Sequence, residues 1–108
     1  MDTIQKTDIN KYQLFFDDLS AIVEKIVNER PRINDLTELE RLLKMGGISE
    51  TTIQGIYKRC GFSSWQNFLD TKYGVSDIDG DINVACVENK IRGALSSLRI
   101  VFSKKLYG

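Results

Sequence analysis

A chain of 108 residues with 15 basic and 15 acidic residues carries no net charge, which argues against a protein that is basic throughout, as strong nucleic-acid binders often are. It has no histidine, and so lacks the commonest general base and the commonest metal ligand. Its acids are scattered, with no nucleophile beside a base and no facing carboxylates, so no enzyme is expected.

The length and a hydrophobic content of 42% fit a single domain, 1–108, with one core of its own. Cys60 and Cys86 show no C-x-x-C spacing and are too few for a secreted disulfide framework, so they read as buried free thiols in a reducing compartment. The first residues carry acids and amides where a secretory signal needs an apolar run, and no stretch approaches membrane-spanning length. A cytoplasmic protein with no membrane partner is therefore expected.

In chain order, the first helix is expected from Asp8 to Arg30. Phe15, Leu19, Ile22 and Ile26 recur there at steps of three and four, and Phe16, Val23 and Val27 widen the stripe. Pro31, which lacks an amide hydrogen, ends it. A second helix opens near Asp35, whose spacing to Glu38 allows a capping box, and runs through Leu36, Leu39 and Leu43 to Gly46-Gly47. Ser49 caps a third, with Ile53, Ile56, Tyr57 and Cys60 inward and Gly61 as its left-handed terminator. A fourth opens at Ser63-Ser64-Trp65-Gln66, a capping-box spacing, and sets Trp65, Phe68, Leu69 and Tyr73 on one face before Gly74. Trp65 reads as the core anchor that fixes this helix to the first three. Residues 76–83, with three acids and no base, form an acidic connector. A long last helix, 84–107, carries Val84, Val87, Ile91, Leu95, Leu98 and Phe102 at helical spacing. The fold class is thus mainly α, a small bundle of about five helices.

The net charge hides an uneven distribution. Residues 84–108 hold five basic residues and one acid, so basic surface exists locally. Within 13–74, two short helices joined by a glycine turn and locked by a third have the spacing of a helix-turn-helix. With Ile53, Ile56, Tyr57 and Cys60 inward, the third helix turns Thr51, Gly55 and Lys58 outward and carries Thr52, Gln54 and Arg59 on its flanks. Gln54 offers the paired donor and acceptor that match adenine, threonines can take a base edge or a thymine methyl, and Lys58 and Arg59 can meet phosphates. Gly55 costs roughly 1 kcal/mol relative to alanine inside a helix, which asks for a reason such as close approach of another surface. The same pattern also suits a helix that is merely packed with a polar outer face.

The stretch ISETTIQGIYKRC followed by GFSSWQNFLDTKYG resembles the homing-endonuclease-associated repeat, a small helix-turn-helix module. The matching features are Pro31, the short helix 35–45, Ser49 to Arg59, Phe62 to Trp65, Phe68-Leu69 and Gly74. The chain departs from the pattern at Gly61, which precedes Phe62 instead of following it, and at Asp70-Thr71-Lys72-Tyr73, where the repeat has small residues. The resemblance implies binding of double-stranded DNA through residues 49–59 and no nuclease activity.

Asp77 to Glu88 has the length and the acidic positions of an EF-hand loop, with Asp77, Asp79, Asp81 and Glu88 as oxygen ligands for calcium. Ile82 stands where that loop needs a glycine, so the competing reading is a plain acidic turn bent at Gly80, with Asn83 capping the last helix and no cofactor bound. Two classes of function remain: a DNA-binding regulator, or a non-enzymatic protein-interaction module or inhibitor acting on a larger nucleic-acid enzyme. Ile100 lies opposite the stripe of Ile91, Leu95 and Leu98, which leaves the C-terminal helix a second apolar side for a protein partner or a homodimer. Alternatively Val101 and Leu106 tuck inside and Ile100 is simply exposed.

Overall fold

The computed structural model describes residues 6–74 and 77–107. The described residues form five helices: α1 (Lys6–Asn28), α2 (Ile33–Met45), α3 (Glu50–Lys58), α4 (Trp65–Tyr73) and α5 (Ile78–Tyr107). The protein is mainly helical, and no strand occurs among the described residues. The body is elongated, 57 × 22 × 19 Å, because α5 with its 30 residues is about 45 Å long at 1.5 Å per residue. No helix among the described residues is long and apolar enough to cross a membrane.

The apolar stripes converge on one core. Leu19, Val23 and Ile26 of α1 meet Leu36, Leu39 and Leu43 of α2, Ile53 and Ile56 of α3, Trp65 and Phe68 of α4, and Val87, Ile91 and Leu98 of α5. Trp65 is 7% exposed, stands edge-on to Tyr57 with ring centroids 4.7 Å apart, and donates its indole N–H to Glu40, so the polar edge of a buried ring is satisfied.

Short turns fix how α2 and α3 meet. Both helices end in the same motif, in which a glycine with positive φ follows the last turn: Gly47 (φ 96°) after α2 and Gly61 (φ 90°) after α3. The N–H groups of Gly47 and Ile48 donate to Lys44 and Leu43, and those of Gly61 and Phe62 donate to Lys58 and Tyr57. Carbonyls of the last helical turns are thereby used in reversing the chain. Ser49 caps α3 by accepting from the Thr52 N–H at 3.3 Å, and Ser64 caps α4 by accepting from the Asn67 N–H at 3.1 Å.

Some elements differ from the sequence expectation. Asp35 is not the residue before α2 but lies in its first turn, and its carboxylate accepts the Arg32 N–H at 2.7 Å. That bond, joined by Lys25 at 3.1 Å, holds the Asp35 carboxyl below its ordinary value of 3.8. Residues 78–83 are not a connector but the opening turns of α5, so Gly80 and Asn83 are helical and neither bends nor caps the chain. Asp77 takes the capping role by accepting the Gly80 N–H at 2.8 Å. Val101 is 45% exposed and does not tuck inside, while the side chain of Leu106 lies outside the described residues.

The cysteines are the largest departure. Cys60 and Cys86 are not free thiols but form a disulfide between the end of α3 and α5, with Cα atoms 5.8 Å apart. The expectation of a reducing compartment rested on free thiols and loses that support. A second tie across the fold is Lys72 of α4. Its ammonium donates to the carbonyls of Ile26 and Val27 at the end of α1, at 2.6 and 3.3 Å, and pairs with Glu88 of α5 at 2.9 Å. One cation thus closes the C-terminus of one helix and docks another.

Candidate nucleic-acid interface

The six residues singled out on the third helix lie together on the outer side of α3. Ile53, Ile56 and Tyr57 are buried, and burial pushes the Tyr57 phenol above its ordinary value. Their 3.6-residue spacing leaves Thr51, Thr52, Lys58 and Arg59 exposed and Gln54 and Gly55 half-buried. Gln54 and Lys58 touch: the lysine ammonium donates to Gln54 Oε1 at 3.1 Å, which uses the amide oxygen and leaves the NH2 of Gln54 as a donor. Thr52 shares a hydroxyl–hydroxyl bond of 2.9 Å with Ser49, so the first turn of α3 is held from two sides.

α5 runs beside α3, and between them lies an open groove of about 630 Å³. From the α3 side it is lined by Ser49, Thr52, Gly55, Ile56 and Arg59, and from α5 by Lys90, Gly93, Ala94 and Ser97, with Gly47 and Ile48 at the intervening turn. Two cations and three hydroxyls thus face one groove that has no carboxylate in its wall. No ion pair holds Arg59 or Lys90 among the described residues. The nearest acid at the start of α3, Glu50, is 70% exposed and sits 3.8 Å from Lys44. A Cβ built on Gly55 would meet only the Arg59 side chain, at 3.4 Å or more. Glycine at 55 therefore keeps the groove wall low beneath the guanidinium instead of serving the core.

The α5 half of this groove was not assigned residue by residue from the sequence. Lys90 and Ser97 fall about one and three turns beyond Cys86 of the disulfide, on the side of α5 adjoining its buried stripe. The signal that could have found them was the excess of basic residues in 84–108 combined with that wheel position.

The acids of the presumed calcium loop do not form one. Asp79 and Asp81 stand in the first turn of α5 with Glu88 about two turns further on, Asp77 caps the helix, and Glu88 is committed to Lys72. No group of three acids or cysteines among the described residues is placed to hold a metal ion. Helical backbone explains this, since it spreads residues 77–88 along roughly 16 Å of axis instead of wrapping them round a point.

No family model, no curated protein and no solved structure matches this chain.

Proposed function

We propose that the chain is a DNA-binding protein in which α2, the turn 46–49 and α3 act as a helix-turn-helix. In this reading α3 enters the major groove of a duplex. Thr51, Thr52 and the free NH2 of Gln54 address base edges, Lys58 and Arg59 neutralise phosphates, and Gly55 lets the DNA surface approach the helix. Lys90 of α5 adds a phosphate contact from the far wall of the groove. The observation that carries the reading is the groove itself: Arg59 and Lys90 face it without a carboxylate in its wall and, among the described residues, without an ion pair, beside three hydroxyls. A neutral protein that still concentrates unpaired cations at the edge of an exposed helix offers a local site for a polyanion. A binder without catalysis acts by occupancy, as a regulator. Fluorescence anisotropy with a labelled mixed-sequence duplex at low salt tests this: binding that weakens steeply as salt rises is expected, and no binding even at low salt would overturn it.

A further inference from the structure

α5 carries apolar side chains on two sides. Its buried stripe faces the bundle, but Ile78, Ile82 and Ile100 stand away from it at 78%, 59% and 59% exposure. At 3.6 residues per turn these three share one face with Ala85, Asn89, Gly93 and Ser96, all exposed. The face is apolar at both ends and made of small or neutral residues between, with Gly93 where it meets the α3 groove. A Cβ built on Gly93 would meet no atom within 4 Å, so nothing inside the fold accounts for a residue that weakens the middle of a helix. Absence of a side chain there suits a second helix lying close against α5.

We infer that this face pairs two copies of the chain through antiparallel α5 helices. The charges flanking it select the second copy and its direction. The first turns of α5 carry Asp79 and Asp81, whereas its last turns carry Arg99 and Lys104 with no acid beyond Glu88. A parallel pair sets acid against acid and base against base; an antiparallel pair sets each acidic end on the basic end of its mate. One register satisfies the whole face. Setting Ile82 against Ile100 of the second copy brings Asn89 against Gly93, Ala85 within one residue of the position opposite Ser96, and Asp79 within one turn of Lys104, each pairing occurring twice about the two-fold axis. Arg99 is partly engaged within its own chain, donating to Ser20 Oγ at 2.9 Å, so Asp79 and Lys104 are the pair to test. The face meets the groove against α3 at Gly93, so the paired helix borders that groove.

The test is sedimentation equilibrium of the full chain over a wide concentration range, with circular dichroism to check that each variant is folded. Wild-type protein is expected to dimerise, and Ile82→Asp combined with Ile100→Asp to remain monomeric. Asp79→Lys alone or Lys104→Asp alone should weaken dimerisation about 5- to 10-fold, as exposed pairs turned repulsive at two symmetric places do. The two swaps together should restore it to near the wild-type constant. A wild-type chain that stays monomeric at millimolar concentration overturns the inference and leaves the face to a different protein. A dimer that the double swap fails to restore overturns the antiparallel register.

Discussion

The Cys60–Cys86 disulfide should contribute strongly to stability, and its contribution can be worked from where it sits in the chain. It links residues 26 apart in sequence. In the chain-entropy description, closing a loop of that length in the unfolded ensemble is worth about 3.5 kcal/mol at 25 °C. Both residues lie where α5 already packs on the end of α3, and Cys60 is only 4% exposed, so the reduced thiols keep their packing and the effect acts mainly on the unfolded chain. Urea unfolding of the oxidised protein against the same protein in excess dithiothreitol measures the difference. With slopes of about 1–3 kcal/mol per molar urea for small domains, the midpoint should fall by about 1–3.5 M on reduction. The double variant Cys60→Ala/Cys86→Ala should fall by at least as much and no longer respond to the reductant. Two thiols titrating in the denatured, unreduced protein, or a midpoint indifferent to dithiothreitol, would refute the bond and the reasoning built on it.

Trp65→Ala should destabilise the fold by about 3–5 kcal/mol, because it removes a buried ring packed on Tyr57 and Phe68 and strands the Glu40 carboxylate that it satisfies; a melting temperature within a degree of wild type would show that the ring is not a core anchor. Asp35 has a folded-state pKa below its unfolded one, so its carboxylate stabilises the protein fully above that unfolded value and progressively less as pH falls through the folded one. The stability gap between wild type and Asp35→Asn should accordingly hold from neutrality down to about pH 4 and shrink below it, and a gap that does not change down to pH 2 would contradict the assignment.

The helices and most of their ends were legible because they depend on residues close in sequence. Ser49, the Gly46-Gly47 turn and Gly61 each act within one turn of themselves, and the apolar stripes of α1 and α5 are periodic enough to give the buried face directly. Asp35 was misplaced by a few residues because an acid near the start of a helix serves either as the cap or as the side chain that reaches back to it. Residues 77–83 are ambiguous in sequence for a related reason: acids that suit a calcium loop also suit the positive end of a helix dipole, and only the backbone distinguishes them. The disulfide, the Lys72 tie and the α5 wall of the groove were not legible. Each joins residues from elements whose mutual placement is decided by the whole core, and no local spacing encodes it.

Binding of duplex DNA at the α3 and α5 groove is tested most directly by comparing wild type with Arg59→Ala/Lys90→Ala in the anisotropy assay across a range of salt concentrations. Among the described residues both cations lack ion pairs and neither belongs to the core, so the variant should fold with nearly unchanged stability. If each meets a phosphate, the variant should bind more weakly, and the slope of log affinity against log salt should become shallower by up to about two. A variant that binds DNA with the affinity and salt slope of wild type would contradict the groove as the site.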